Sequence, residues 1–159
     1  MKIAVVILNW NGKDLLEKYL PDVISNSKEA SIYVVDNAST DESVTYVKQQ
    51  FPEVKLIQLD DNYGYAGGYN RAVHQIDETV QILMNSDVRP AENWLQPIIE
   101  TFSKDKMVAA IQPKILSDEN DSYFEYAGAS GGFIDQLGYP FCRGRIFDYL
   151  EKDQGQYDD

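Results

Sequence analysis

The sequence contains one cysteine, Cys142, and one histidine, His74, among its 159 residues. A single cysteine excludes an internal disulfide and any zinc site built from several cysteines. The longest apolar run, residues 3–8, is far shorter than the roughly 20 residues that a membrane-spanning helix requires. Because no signal peptide precedes this run, we expect a cytoplasmic location, and no segment indicates membrane association.

Basic residues are also few. The sequence has 14 Lys and Arg against 26 Asp and Glu, which gives a formal net charge of −12 at pH 7. This balance argues against a nucleic acid partner, because binding a phosphate backbone requires a basic surface. A nucleotide diphosphate would be repelled as well, unless a bound cation neutralises the charge locally. The composition therefore directs the search to side chains that could hold such a cation.

What the sequence does contain is a regular alternation of strand-like and helix-like patterns. Short apolar runs predict strands at residues 3–8, 32–35, 54–59, 80–84 and 107–111. Helical spacing predicts helices around residues 15–24, 44–51, 66–76 and 94–102, the second of them behind a capping-box spacing from Ser39 to Glu42. This order predicts an α/β fold with a mostly parallel, Rossmann-like sheet and helices on both faces.

The periodicity ends after Pro113. The remaining residues are rich in Gly, Tyr, Phe and Asp, and so long a segment without regular structure is unusual within a finished domain. We therefore expect a regular α/β part at residues 1–112 and a loop-rich segment at residues 113–159. We also expect this segment to find its packing partners beyond the end of the chain, as in a domain truncated at its C-terminus.

Polar side chains and glycines follow each of the first four predicted strands. They lie in residues 9–12 (NWNG), 36–39 (DNAS), 60–70 (DDNYGYAGGYN) and 85–87 (NSD). Asn and Asp in such places often only cap the next helix or form turns. In open α/β sheets, however, ligands bind beyond the C-terminal ends of the strands. The convergence of four such segments at one sheet edge therefore predicts a ligand site there.

The same segments carry a family resemblance. In order and in spacing, the sequence has VVILNWNG at residues 5–12, VVDNASTD at 34–41, NYGYAGGYN at 62–70 and LMNSDV at 83–88. Over about residues 1–100 the chain resembles the N-terminal part of family 2 glycosyltransferases of the GT-A fold, especially the rhamnosyltransferase-like branch. The resemblance implies transfer of a sugar from a UDP-, dTDP- or GDP-sugar to a hydroxyl of a glycan or lipid-linked acceptor, in polysaccharide synthesis.

The resemblance also implies a role for each segment. Asn9, Trp10 and Asn11 would flank the base and ribose, with Trp10 as a stacking surface. Asp36 and Asn37 would read the edge of the base, whose identity stays open because the amide of Asn37 can both donate and accept. The glycine-rich segment would let the backbone approach the nucleotide, and its implied binding residues are Asn62, Gly64, Gly67 and Asn70.

The implied metal site departs from the pattern of most relatives. They carry Asp-x-Asp, whose carboxylates bind Mg²⁺ or Mn²⁺, whereas this chain has Asn85, Ser86 and Asp87. The resemblance allows this variant, with Asp87 as the metal ligand and Asn85 and Ser86 beside the nucleotide. One carboxylate can suffice because a hard cation keeps waters and takes phosphate oxygens as further ligands.

The catalytic base is not assigned. An inverting transfer needs a carboxylate that deprotonates the acceptor hydroxyl, and the family's base lies after the segment matched here. By chemistry alone the candidates are Asp118, Glu119, Asp121 and Glu125. Since none of them maps to the family's position, we expect this chain to bind the donor without transferring its sugar.

Two alternatives remain open. The first is a non-catalytic nucleotide- or glycan-binding module of the same fold, which agrees with Asn85 at the metal position and with the unmapped base. The second is a NAD-dependent oxidoreductase, in which Asp36 would bind a ribose. The second alternative lacks the glycine fingerprint after the first strand, where this chain has Asn9, Trp10, Asn11 and Gly12.

Overall fold

A computed structural model of the chain describes residues 1–125 and 130–157. The chain divides into two compact units, Met1–Lys104 and Asp105–Asp159. The elements of the first unit are β1 (Ile3–Asn9), α1 (Lys13–Asn26), β2 (Ser31–Asp36), α2 (Ser43–Gln50), β3 (Lys55–Gln58), α3 (Gly64–Val73), β4 (Val80–Asn85) and α4 (Leu95–Lys104).

The four strands of the first unit form a parallel sheet in the order β3-β2-β1-β4. Strand β1 lies between two neighbours, and its residues from Ile3 to Ile7 are at most 3% exposed. A strand buried on both faces reads as a continuous apolar run, which is why the sequence pattern locates it. The predicted parallel sheet is confirmed.

Helices cover both faces of this sheet. Successive side chains of a strand point to opposite faces, and along β1 they divide between two hydrophobic clusters. Val5 and Ile7 belong to the cluster that contains Leu16 of α1 and Val47 of α2. The other cluster combines Ala4 and Val6 with Tyr33 and Val35 of β2 and with Tyr69 and Ala72 of α3. The predicted helices on both faces are therefore confirmed.

An ionic cluster lies at the end of the sheet where the parallel strands begin. Glu78 accepts hydrogen bonds from Tyr33 Oη (3.0 Å) and Lys55 Nζ (3.1 Å), and its side chain is 9% exposed. Burial opposes ionisation of Glu78, but hydrogen bonds from Ser31, Lys55 and Tyr33 outweigh it and lower the pKa of the carboxyl to about 2. The cluster joins β2 and β3 to the segment before β4.

Two local predictions are wrong. Residues 107–111 form no strand, and Met107 is 89% exposed, because an apolar run becomes a strand only where a neighbouring strand pairs with it. The spacing from Ser39 to Glu42 is not a capping box either. Helix α2 begins at Ser43 without a side-chain hydrogen bond from its N-cap residue, and the Ser39 hydroxyl accepts a hydrogen bond from the Asn11 amide instead.

The second unit contains two short antiparallel strand pairs within the segment predicted to be loop-rich. They are β5 (Gly132–Ile134) with β6 (Pro140–Cys142), and β7 (Arg145–Ile146) with β8 (Tyr149–Leu150). Phe124 is 1% exposed, and a Cβ atom on Gly144, at φ 77°, would lie 2.5 Å from its ring. The candidate bases lie in this unit, with Asp118, Glu119 and Asp121 exposed and Glu125 half-buried. Across the described ranges, no helix combines the length and the apolar character needed to cross a membrane.

Candidate functional site

The strand register brings the predicted site segments to one edge of the sheet. Asn9, the last residue of β1, pairs with Asp36 of β2, and Leu8 pairs with Asn85 of β4. A cleft of about 360 Å³ lies at this edge, lined by Leu8, Trp10, Asn37, Asn62, Gly64, Tyr65, Asn85, Ser86 and Asp87. This volume lies within the range of small-ligand sites.

Most of the predicted site residues line this cleft: Trp10, Asn37, Asn62, Gly64, Asn85, Ser86 and Asp87. The others, which do not line it, are Asn9, Asn11, Asp36, Gly67 and Asn70. Leu8 and Tyr65 line the cleft but were not among the predicted site residues. The sequence did offer a signal for Tyr65, because this aromatic residue directly follows Gly64 in a segment expected at the sheet edge.

Asn9 and Asp36 form a buried hydrogen-bonded pair behind the cleft. Asn9 is 0% and Asp36 3% exposed. The Asn9 Nδ2 atom donates to Asp36 Oδ1 and to Ser39 Oγ, both at 3.2 Å, and the Ser39 amide donates to Asp36 Oδ2 at 3.0 Å. Each carboxylate oxygen of Asp36 thus accepts a hydrogen bond from within the protein, so this side chain serves first to join the ends of β1 and β2.

The loops after β1 and β2 are also joined through Asn11. Its amide donates to Ser39 Oγ at 2.9 Å, and its Oδ1 accepts from the amide of Thr40 at 2.7 Å. Asn11 has φ 50° and Ala38 has φ 60°, the left-handed region that residues with a Cβ atom rarely occupy. Trp10, which is 57% exposed, is therefore held at the cleft between two fixed neighbours, Asn9 and Asn11.

Asn37 holds the turn that begins α3. It is 2% exposed, and its Nδ2 donates to Asn62 Oδ1 at 2.8 Å and to the Gly64 carbonyl oxygen at 3.2 Å. Its Oδ1 accepts from the Tyr63 amide at 3.0 Å. Because both amide hydrogens are used within the chain, only the second lone pair of Oδ1 is left for a ligand.

The glycines of the segment at residues 62–70 serve different needs. Gly64 has φ 68°, with open space where a Cβ atom would lie, so it permits the turn itself. A Cβ atom on Gly67 would lie 2.9 Å from Tyr63 Cβ, and one on Gly68 would lie 2.7 Å from Leu8 Cδ1. These two glycines therefore allow close packing, and Gly68 lets α3 approach β1.

Strand β4 ends in the 85–87 turn, which supplies oxygen atoms to the cleft. Asn85 and Asp87 are exposed and Ser86 is half-buried. Asp87 is the only carboxylate among the described residues that line the cleft, and no group of three or more His, Cys, Asp or Glu positioned for a metal occurs within residues 1–125 and 130–157. Oxygen donors fit a hard cation such as Mg²⁺ or Mn²⁺, but only if substrate oxygens or waters complete its ligands.

Comparison with known proteins identifies relatives of this chain. The sequence model of the family described as glycosyl transferase family 2 matches residues 4–152. Among curated proteins, the N-acetylglucosaminyl-diphospho-decaprenol L-rhamnosyltransferase of Mycobacterium tuberculosis is 23% identical over 133 residues. That match covers 76% of this chain and 43% of the relative, so the chain spans less than half of the relative's length.

Solved structures share the fold at low sequence identity. The mannosyltransferase PcManGT from Pyrobaculum calidifontis, in complex with GDP-Man and Mn²⁺, superposes with a TM-score of 0.63 at 20% identity, over 75% of this chain and 36% of that one. S. aureus TarS 1-349 in complex with UDP-GlcNAc gives 0.58 at 19% identity, over 74% of this chain and 39% of that one. These superpositions agree with the α/β fold described above.

Proposed function

Since the chain belongs to glycosyl transferase family 2, we propose that it is the donor-binding part of an enzyme that transfers a sugar from a nucleotide diphosphate to an acceptor hydroxyl in glycan synthesis. One observation carries the proposal. A single cleft of about 360 Å³ combines an exposed indole, several amides and glycine backbone with the carboxylate of Asp87. These are the groups needed for a base, a ribose and a cation-bound diphosphate.

The nucleotide lies between the end of β1 and the start of α3. Trp10 stacks on the base, because its exposed indole sits between two hydrogen-bonded neighbours and loses little freedom on binding. Asn62 and Gly64 bring polar atoms and backbone toward the ribose and phosphates. Support comes from the two structural relatives, which hold GDP-Man and UDP-GlcNAc. The base is left open among uracil, thymine and guanine.

The diphosphate lies against the 85–87 turn, with Asp87 holding Mg²⁺ or Mn²⁺. A divalent cation bound there supplies positive charge that stabilises the diphosphate as the leaving group. The formal charge of −12 makes such neutralisation necessary, because no basic residue lines the described cleft. That PcManGT was solved in complex with GDP-Man and Mn²⁺ supports the use of a divalent cation.

The transfer itself inverts the anomeric centre and needs a general base for the acceptor hydroxyl. We assign this base to no residue of the chain, and the sugar and the acceptor are left open. The single carboxylate of the cleft also favours a second candidate function, a nucleotide-binding module that performs no transfer. Production of a glycosidic bond from a nucleotide sugar by a protein that contains this chain would decide for the enzyme.

Calorimetric titration tests the proposal. UDP, dTDP and GDP are titrated into the chain with Mn²⁺, with Mg²⁺ and with EDTA, and at least one nucleotide should bind with an affinity that falls in EDTA. Asp87→Asn should weaken cation-dependent binding about tenfold, the cost of one charge-assisted contact. Asp77→Asn changes an exposed carboxylate outside the cleft and should leave binding unchanged.

Three results would count against the proposal. Absence of binding by any of the three nucleotides would remove the donor site. Unchanged cation dependence in the Asp87→Asn variant would place the cation elsewhere. Equal losses in the Asp87→Asn and Asp77→Asn variants would indicate a general effect of charge instead of a ligand at residue 87.

A further inference from the structure

A buried hydroxyl links helix α3 to the strand that carries the 85–87 turn. Tyr69 of α3 is 3% exposed, and its Oη donates to the carbonyl oxygen of Met84 at 2.8 Å. Met84 directly precedes Asn85, the first residue of the turn. The phenol therefore contacts the backbone one residue before the segment that delivers Asp87 to the cleft.

The same ring contacts a residue of the cleft wall. Tyr69 and Tyr65 meet edge to face, with ring centroids 5.1 Å apart and planes at 76°. Tyr65 is 64% exposed and lines the cleft, whereas Tyr69 does not line it. The ring of Tyr69 thus contacts Tyr65 in the cleft wall, and its hydroxyl contacts Met84 in the strand that leads to the 85–87 turn.

The Tyr69 hydroxyl is a donor at all physiological pH values. Burial, with the neighbouring Tyr65, raises the pKa of Tyr69 far above that of an ordinary tyrosine. The hydroxyl therefore stays protonated and able to donate to the Met84 carbonyl oxygen across this pH range.

We propose that Tyr69 is a positioning residue that sets the place of the 85–87 turn for cation-bound diphosphate. This inference rests on the proposed function. Asp87 is the only carboxylate of the described cleft, so cation and phosphate must meet it where the backbone holds it. Small displacements of such a group are costly because binding and reactivity depend steeply on position.

The test compares two substitutions that each remove one phenol hydroxyl. Tyr69→Phe keeps the ring and deletes the hydrogen bond to Met84. Tyr33→Phe is the matched control, since Tyr33 is 7% exposed and its hydroxyl bonds Glu78 and Lys55 at the other ends of the strands. Hydrogen exchange of the amides at residues 85–87 is measured without ligand, and titration with GDP, UDP and dTDP follows in Mn²⁺ and in EDTA.

Tyr69→Phe should speed exchange at residues 85–87 and weaken nucleotide binding in Mn²⁺ about fivefold, the loss expected for one hydrogen bond. Binding in EDTA should not change, and Tyr33→Phe should affect neither measurement. Equal effects of the two variants, or unchanged exchange at residues 85–87 in Tyr69→Phe, would overturn the inference. Absence of nucleotide binding by the unsubstituted chain would instead overturn the proposed function, and with it the role of Tyr69 in positioning the turn for nucleotide.

Discussion

Replacing Asn37 by Asp tests whether this residue holds the turn before α3. The two side chains have nearly the same shape, but Asn37→Asp removes both N–H donors. A carboxylate oxygen then faces Asn62 Oδ1 and the Gly64 carbonyl oxygen, the acceptors that lie 2.8 and 3.2 Å from Asn37 Nδ2. Each lost hydrogen bond costs about 1 kcal/mol, and the buried charge adds to this. We expect the free energy of unfolding to fall by roughly 2–4 kcal/mol at neutral pH.

Urea unfolding at neutral pH and at about pH 4 measures this loss and its origin. Burial beside two acceptors raises the pKa of the introduced carboxyl above its unfolded value. The destabilisation is therefore complete at neutral pH and shrinks as the pH falls toward about 4, where the unfolded carboxyl also takes up its proton. Asn70→Asp on the exposed side of α3 is the control and should change stability by less than about 0.5 kcal/mol.

The opposite result would support the role implied by the family resemblance. If Asn37→Asp leaves the free energy of unfolding unchanged and strengthens nucleotide binding, residue 37 reads the base and the turn does not depend on it. If the variant is destabilised and nucleotide binding falls with the loss of the folded turn, Asn37 acts through the residues that it holds.

Three further predictions concern single side chains. Trp10→Ala should weaken nucleotide binding roughly tenfold in calorimetry, which is the value of one stacking contact. The urea midpoint should stay unchanged, because Trp10 is 57% exposed. Unchanged binding would show that the base does not stack on Trp10. Gly12→Ala should lower the free energy of unfolding by about 1–3 kcal/mol, since its Cβ would lie 2.5 Å from Asn9 Oδ1; a stable variant with the Asn9 amide signal unmoved in NMR would contradict this. Glu78→Gln should cost roughly 1–3 kcal/mol at neutral pH, and because the pKa of Glu78 is lowered to about 2, the difference from the unsubstituted protein should vanish as the pH falls from about 4.5 toward 2. A pH-independent difference would exclude the ionic cluster as its cause.

The sheet could be predicted because its strands carry their own signal. Strand β1 is buried on both faces, and such a strand reads as a continuous apolar run, here from Ile3 to Leu8. Strands that alternate with helices run parallel, so their C-terminal ends lie at one edge of the sheet, which is why we expect Trp10, Asn62 and Asp87 together. An apolar run without a pairing partner has the same appearance, and residues 107–111 were assigned to a strand for that reason.

Hydrogen-bond partners within the site could not be predicted in the same way. Ser39 stands at the spacing from Glu42 that a capping box has. The loop after β1 nevertheless brings the Asn11 amide to the Ser39 hydroxyl, across 28 residues of sequence. Asn37 carries an amide that could read a base, but this amide donates to Asn62, which lies 25 residues away in the sequence. A side chain that can bond a ligand can equally bond the protein, and only the folded arrangement decides between them.

The amino-acid sequence by itself determined the order of strands and helices through α4, the edge of the sheet at which the polar segments converge, and the family to which the chain belongs. These properties follow from local periodicity and from residues that lie next to each other in the chain. Tertiary structure alone decided that Asp36 and Asn37 bond within the protein, that Tyr65 reaches the cleft, and that Tyr69 bonds Met84. Those outcomes depend on distances between segments far apart in sequence, because a hydrogen bond or ring contact forms only where packing brings both partners within a few ångströms.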